Sequence, residues 1–155
     1  MVVLPLTAFV LAYSWGGARM NWSRLIHNVP TATMMDPEAA WFAECTGRNG
    51  HTCVIDGDSI VYKGREIRLV GFNAPELGEP RCERERELGE KAQARLRQLL
   101  NAGPFRMSAN NPAKDRFGRD LVILTRQGKD IGDPLVLEGL AHAWHGRKGD
   151  WCARG

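Results

Sequence analysis

No C-x-x-C pair occurs in the sequence, although it contains four cysteines, and its four histidines lack zinc-finger spacing. Both absences argue against a structural zinc site. The uncharged apolar run at 2–15 is shorter than the roughly 20 residues that a transmembrane helix needs. An EF-hand loop is also missing, because the required glycine and the closing glutamate do not stand at their offsets. These absences exclude the commonest short metal-binding motifs and a full-length apolar span.

The overall composition is typical of a folded globular protein. The chain has 155 residues, of which 43% are hydrophobic and 25% are charged. This is enough for one domain of ordinary size with a modest extension. The first fifty residues hold three basic and three acidic side chains, so the net charge of +3 comes from the remainder. A mildly basic domain suits a polyanionic partner and an ordinary soluble surface about equally well.

The N-terminal run at 2–15 has the length of the apolar part of a signal sequence. No lysine or arginine precedes it, and the only small-residue cleavage site is the stretch at 14–16. An uncleaved anchor that attaches the protein to the membrane is therefore the alternative. Either interpretation predicts export to the periplasm or the extracellular space.

If the protein is exported to an oxidising compartment, its four cysteines are expected to form two disulfides. Four cysteines allow three disulfide pairings. Proximity in sequence favours Cys45–Cys53, which would leave Cys82 to pair with Cys152. Four buried free thiols in a cytosolic protein are the alternative.

The chain divides into the N-terminal run (1–15), a linker with a short helix (16–50) and a folded domain (51–155). Asp36 followed by Pro37 is typical of a helix start, and the short helix is predicted to continue to Glu44. In the domain, turns at 56–57 and 63–64 separate the first three strands, and Gly103-Pro104 ends a long helix. The predicted elements are five strands at 51–56, 59–62, 66–73, 105–109 and 121–125, a strand-like piece at 141–144, a long helix at 81–101 and a short helix at 133–139.

Short strands with one long helix after the third of them predict an α+β fold that is mainly β. A five-stranded OB-fold barrel is the best match, with a second, short helix near the C-terminus. The tryptophans Trp144 and Trp151 are expected to pack rather than to bind a ligand. We expect a monomer.

Two acidic residues flank a glycine in the stretch VIDGDS at 54–59. A tight turn requires only Asp56, so Asp58 needs another explanation. A second stretch, RLVGFNAPE at 68–76, supplies Asn73 and Glu76 on the third strand of the same meander. If these side chains converge, their oxygens repel one another unless a hard cation such as Ca²⁺ neutralises them.

A third stretch, KDRFGRDLVIL at 114–124, places Arg116 and Arg119 in a turn beside a strand. Together with Arg68 on the third strand, they could bring guanidinium groups to the same place. Arginines hold phosphate by bidentate hydrogen bonds and stabilise charge that develops in phosphoryl transfer. The pattern therefore indicates a phosphate-binding site.

In combination, the three motifs and the helix between the second and third resemble the staphylococcal-type thermonuclease family of OB-fold phosphodiesterases. The resemblance runs from about residue 51 to residue 144. It implies a calcium-dependent hydrolase that cuts DNA or RNA. It also implies roles for individual residues: Ca²⁺ would be held by Asp58, Asn73 and the Ala74 carbonyl with Asp56 in the outer shell, Glu76 would act on the attacking water, and Arg68 and Arg119 would clamp the phosphate.

The sequence departs from the family pattern at positions that matter for this interpretation. Asn73 stands where an aspartate is usual, which removes one charge from the metal site. Phe117 replaces a tyrosine, and His145 stands where a base-stacking tyrosine is common; with Arg116 these are the expected substrate-binding residues. The departures keep alternatives open: an OB module that binds single strands or a protein partner without catalysis, or an envelope protein that makes only protein contacts.

Overall fold

The computed structural model describes residues 36–46 and 50–153, which belong to one compact unit. The predicted signal or anchor segment and most of the predicted linker lie outside these residues. Within the described ranges, no helix combines the length and the apolar character needed to cross a membrane.

Most strands form one mixed sheet. The strands are β1 (Ala43–Glu44), β2 (Cys53–Asp56), β3 (Ser59–Tyr62), β4 (Arg65–Leu69), β5 (Phe72–Asn73), β6 (Arg106–Lys114), β7 (Asp120–Arg126), β8 (Lys129–Asp130) and β9 (His142–Ala143). The strand order of the mixed sheet is β1-β2-β3-β4-β7-β6, and β8 pairs with β7 beside that path. Strands β5 and β9 form a separate two-stranded sheet.

The predicted mainly β architecture is confirmed, whereas a closed five-stranded barrel is not. The described strands number nine, and β1 and β6, at the two ends of the main sheet, are not paired with each other. The open sheet with a long helix is consistent with an OB-like fold. The parallel pairing of β4 with β7 sets Ile67 opposite Asp120 and Arg68 opposite Leu121. This pairing joins the strand of the second motif to the strand of the third.

The antiparallel meander β2-β3-β4 is confirmed. Its second turn consists of Lys63 and Gly64, whose φ angles are 52° and 76°. A two-residue hairpin turn with positive φ at both central residues matches the right-handed twist of the two strands that it connects. The predicted third strand is longer than the observed one, because β4 ends at Leu69 and Gly71 adopts a φ of 97° before β5 begins.

The glycine of the first turn, Gly57, is required by packing rather than by backbone conformation. Gly57 does not have a positive φ. Instead, a Cβ atom at this position would lie 2.5 Å from the Ala74 Cβ and 2.6 Å from the Ala92 Cβ. Glycine is therefore needed because the turn packs directly against the chain after β5 and against the long helix.

This close approach predicts a stability defect for Gly57→Ala. We expect the free energy of unfolding to fall by about 1–3 kcal/mol, as for other overpacked sites. Gly78→Ala is the matched control, because nothing lies within 4 Å of a Cβ atom at that position. Urea denaturation of both variants measures the difference. Equal stabilities would contradict the packing argument.

The long helix, α1 (Glu83–Asn101), confirms the prediction and covers β2. Gly89, Ala92, Leu96 and Leu100 form its apolar buried face, and Gln93 donates to the Ile55 carbonyl at 2.9 Å. A second helix, α2 (Asp133–Leu137), matches the predicted short helix. Together with the sheet, α1 holds the turn that carries Asp58.

The predicted helix at 36–44 is wrong. Glu38 instead pairs through its backbone with Phe105, at 3.0 and 2.8 Å, and Tyr62 donates its hydroxyl to the Glu38 carboxylate at 2.6 Å. Phe42 is fully buried against the Tyr62 and Phe105 rings, whereas Trp41 is 77% exposed. These long-range contacts outweigh the local helix-start signal of Asp36 and Pro37.

Both disulfides favoured by spacing are present, Cys45–Cys53 and Cys82–Cys152. The first joins the residue after β1 to the start of β2. The second joins the residue that precedes α1 to the C-terminal end of the described chain. Among the described residues, no cysteine is free.

Candidate active site

Asp58 is fully buried in the turn between β2 and β3 and is the centre of a polar network. Its Oδ2 accepts the Ala74 N–H at 2.6 Å and the Asn73 side-chain amide at 3.3 Å. Its Oδ1 contacts the guanidinium of Arg68 and accepts the Ser59 hydroxyl at 3.2 Å. The first and second motifs therefore meet, as predicted from the sequence.

Asn73 is 1% exposed, and its side-chain oxygen has no hydrogen-bond partner in the described part of the protein. A buried acceptor without a partner costs free energy. This oxygen is therefore available to a ligand that accepts electron density, such as a hard cation. It is the strongest local indication that the network is completed by something other than protein.

Asp56 ends β2 and accepts the Asp58 N–H at 3.0 Å, which shapes the turn. Burial raises the pKa of the Asp56 carboxyl to about 6, against the opposing effect of Arg68, and the Glu76 carboxylate adds to the rise. For the Arg68 guanidinium, burial has the opposite effect and lowers the pKa. The Asp56 carboxylate opposes this change, and the Arg119 guanidinium adds to it. The acids and arginines named by the motifs therefore share one electrostatic environment.

The third motif forms a compact loop around Asp115, a residue that the sequence did not single out. Its carboxylate accepts the backbone N–H groups of Phe117 and Arg119, each at 2.9 Å, and the Arg119 Nε at 2.7 Å. Burial raises the pKa of the Asp115 carboxyl, but the hydrogen bonds from Arg119 and Phe117 outweigh it and lower the pKa overall. Gly118, with a φ of 85°, closes the loop. Asp115 therefore orients Arg119.

A cavity of about 610 Å³ joins the second and third motifs. Its polar lining includes Arg68, Glu76, Arg116 and Arg119. A second cavity of about 520 Å³ is lined by Asn73, Ala74 and, again, Glu76. Glu76 thus stands between the buried oxygen ligands and the arginines, where both cavities reach it.

Of the expected substrate-binding residues, Arg116 and Phe117 line the larger cavity and His145 is not among its lining residues. Phe117 is 70% exposed, with the Arg116 guanidinium 4.7 Å from its ring centre. Trp151 packs as predicted, but Trp144 is 46% exposed and lines the cavity. The aromatic ring that lines the cavity is therefore that of Trp144, one residue before His145.

Glu76 also has a partner that the sequence did not indicate. Its Oε1 pairs with the ammonium group of Lys148, which lines both cavities. Lys148 lies after β9 in a stretch of glycine and charged residues, and no motif pointed to it. Its position results from tertiary contacts near the C-terminus.

Four oxygen-bearing groups around the Asp58 network could hold a hard divalent cation. The set comprises the carboxylates of Asp56 and Asp58, the Asn73 side-chain oxygen and the Ala74 carbonyl. Oxygen-only sets of this kind suit Ca²⁺, and fewer negative charges lower its affinity. No group of three or more His, Cys, Asp or Glu that could hold a metal ion occurs in the described residues. The fit therefore rests on two acids, an amide and a backbone oxygen.

The sequence of this chain is similar to those of known nucleases. Residues 66–150 match the family model described as staphylococcal nuclease homologue. The chain is 32% identical over 93 residues to endonuclease YncB of Bacillus subtilis (strain 168), an alignment that covers 56% of this chain and 43% of YncB. It is 31% identical over 93 residues to the SPbeta prophage-derived endonuclease YokF of the same organism, covering 56% of this chain and 31% of YokF.

The alignments thus span less than half the length of each of these two relatives. The family match itself contains Arg68, Asn73, Glu76 and Arg119, the residues whose side chains surround the two cavities. It covers more than half of the chain. The protein belongs to the staphylococcal nuclease homologue family.

Proposed function

We propose that the protein is a calcium-dependent nuclease that hydrolyses phosphodiester bonds in DNA and, as a second substrate, RNA. The observation that carries the proposal is the common cavity of Arg68, Glu76 and Arg119, next to the buried oxygens of Asp58 and Asn73. The family and the endonuclease names of its relatives support the same reaction class.

In the proposed reaction, Arg68 and Arg119 hold the phosphate from the cavity side. Both guanidinium groups are positioned in advance, Arg68 by Asp58 and Arg119 by Asp115. Donors that are already oriented stabilise developing negative charge without reorganisation. Glu76 accepts a proton from the attacking water, whose oxygen forms a bond to phosphorus as the bond on the 5′ side of the phosphate breaks. The released oxygen takes a proton from solvent.

Asp58, Asn73 and Ala74 would hold the Ca²⁺ ion, with Asp56 behind them. When bound there, Ca²⁺ would supply positive charge that stabilises the phosphate oxygens. The buried Asn73 oxygen would gain the partner that it lacks.

Digestion of single-stranded DNA by the purified protein tests the proposal. We expect cleavage with millimolar Ca²⁺ and none with excess chelator. Product ends with a 3′ phosphate and a 5′ hydroxyl would agree with the assigned bond. Absence of product at every Ca²⁺ concentration would contradict the nuclease function.

Asn73→Asp tests the metal ligand directly. Adding a carboxylate should strengthen the site, so we expect the Ca²⁺ concentration for half-maximal activity to fall about tenfold. Without Ca²⁺, the melting temperature should fall, because the new charge would be buried beside Asp58. Activity titrations and thermal melts with and without Ca²⁺ measure both effects.

Gln98→Glu is the control for that variant, because it adds the same charge on an exposed position of α1. We expect its Ca²⁺ requirement to equal that of the unaltered protein. An unchanged requirement in Asn73→Asp as well would remove Asn73 from the ligand set.

One observation favours a second function. The Arg68 guanidinium pairs with the buried Asp58 carboxylate, so a side chain of the protein itself can balance that charge. A module that binds single-stranded nucleic acid without cutting it would keep the same arginines. That function predicts DNA binding that chelator does not change and that falls with salt.

We also propose that the protein acts in an oxidising compartment, in the periplasm or outside the cell. The two disulfides support this location, because such bonds persist where thiols are not kept reduced. Expression of the intact chain followed by cell fractionation tests it. Recovery of the protein only from the cytosol, with reduced thiols, would contradict it.

A further inference from the structure

The C-terminal segment, residues 146–153, has no regular secondary structure but is held to the domain at several points. The Cys82–Cys152 disulfide joins it to the start of α1. Trp151 is buried and stacks on His142, with ring centres 3.8 Å apart. Two arginines add polar contacts: Arg81 with Asp150 at 3.4 Å and Arg84 with the Ala153 carbonyl at 3.1 Å.

The residue that this segment brings to the site is Lys148. Its ammonium group pairs with the Glu76 carboxylate, and its side chain lines both cavities. The Lys148 side chain is 62% exposed. An ion pair between exposed side chains contributes little free energy, because holding two long, mobile side chains in one geometry costs entropy. The contact therefore depends on what fixes the backbone on each side.

The same disulfide fixes both sides. Glu76 lies in the stretch 74–82, which has no helix or strand and leads from β5 to Cys82. Lys148 lies four residues before Cys152, the partner of Cys82. At the end of the stretch, Glu85 accepts the Arg81 N–H at 2.8 Å. The stretch that carries Glu76 and the segment that carries Lys148 are thus joined where both meet α1.

We propose that Lys148 is a positioning residue for Glu76 and that the Cys82–Cys152 disulfide, by holding Lys148 in place, makes cleavage depend on the redox state of that bond. This inference rests on the proposed nuclease function. Lys148 restrains the Glu76 carboxylate between the two cavities, so that it meets the attacking water in the productive orientation. Small displacements of such a group are costly to catalysis.

Reduction releases the restraint. A dithiol such as dithiothreitol gives two electrons and two protons to the disulfide, so that Cys82 and Cys152 become thiols and the reductant closes to a cyclic disulfide. The C-terminal segment then keeps only its noncovalent contacts. Lys148 leaves Glu76 for part of the time, and turnover slows.

The first experiment compares Lys148→Gln with Lys148→Arg on the oxidised protein. We expect Lys148→Gln to lower kcat about tenfold with little change in KM, because orientation rather than binding is lost. Lys148→Arg keeps the charge and should restore most of the rate. Lys63→Gln is the matched control, because Lys63 is 63% exposed and pairs with Glu38 in the same way, away from both cavities.

An unchanged kcat in Lys148→Gln would overturn the positioning role. So would a higher KM at constant kcat, since that result would make Lys148 a substrate contact instead. An unaltered protein without any activity would contradict the proposed nuclease function rather than this step. The next experiment therefore includes a measurement that does not need activity.

The second experiment removes each disulfide by paired serine substitutions. Cys82→Ser with Cys152→Ser should lower kcat to the level of Lys148→Gln, and adding Lys148→Gln to this variant should cause no further loss. Cys45→Ser with Cys53→Ser should lower the melting temperature and leave kcat as it is. All assays are run below the melting temperature of the least stable variant.

Limited trypsin digestion reports on the segment itself. Cleavage after Arg147 and Lys148 should be at least several-fold faster in the variant without Cys82 and Cys152, and in the unaltered protein treated with dithiothreitol. The variant without Cys45 and Cys53 should be cut there at the original rate. Equal cleavage rates in all of them would show that the disulfide does not hold the segment, and would overturn the inference.

Discussion

Glu76→Gln is expected to lower kcat by about 10²–10⁴-fold, the usual contribution of a general base. Gln keeps the shape of the side chain but cannot take a proton from water. The loss should exceed the one expected for Lys148→Gln, because the latter disturbs only the orientation of the carboxylate. Initial rates on single-stranded DNA at saturating Ca²⁺ measure the effect.

Glu87→Gln on the exposed face of α1 is the control and should keep the rate of the unaltered protein. Circular dichroism of both variants establishes that each is folded. If Glu76→Gln cuts DNA within threefold of the unaltered rate, Glu76 does not act as the base. A rate equal to that of Lys148→Gln would assign it only a role in binding the lysine.

Arg119→Lys is expected to lower kcat by about 10²–10³-fold, which is typical for loss of a charge-stabilising donor. Arg119 uses its Nε for Asp115 at 2.7 Å, and its Nη1 has only a distant ion pair with Glu66 at 3.9 Å, so the Nη groups can turn to a phosphate. A lysine has a compact ammonium group instead of the planar fork, so it cannot present paired donors to the phosphate while it keeps the Asp115 contact in the same geometry. The substitution therefore tests the geometry of the donor rather than its charge.

Arg95→Lys is the matched control, since Arg95 also forms a close pair with a carboxylate, that of Glu138 at 2.7 Å, outside the larger cavity. We expect its kcat to stay unchanged. Rates within threefold for both variants would mean that Arg119 does not bind the phosphate in the transition state. A selective rise in KM for Arg119→Lys would place it in substrate binding alone.

Local signals in the sequence were sufficient for much of the fold. The meander follows from alternating apolar residues and from turn residues such as Lys63 and Gly64, and α1 follows from its apolar spacing. Cysteine spacing also led to the correct disulfide pairs. For the meander, α1 and the Cys45–Cys53 pair, the physical cause lies within a few residues along the chain. The Cys82–Cys152 pair, 70 residues apart, followed only because the other two cysteines were already paired.

The differences arise where distant contacts decide the outcome. Residues 36–44 look like a helix start locally, but pairing of Glu38 with Phe105 and burial of Phe42 override that preference. The separate β5 strand could not be foreseen because its partner, β9, lies far along the chain.

In the candidate site, too, residues of local motifs could be predicted, whereas residues that depend on distant contacts could not. The acids and arginines could be named because each belongs to a short motif. Asp115 and Lys148 could not, because their importance comes from partners that folding brings close, Arg119 for one and Glu76 for the other. Trp144 was misjudged for the same reason, since only the course of the backbone after β9 shows which ring faces the cavity.

The parallel pairing of β4 with β7 has a consequence for the newly made protein. Strand β7 is synthesised well after β4, and α1 and β6 are made in between. A chain still emerging from the ribosome therefore has Asp58, Arg68 and Glu76 but not the opposing guanidinium of Arg119. The cavity that Arg68 and Arg119 share therefore forms late, only after the chain has been made through β7.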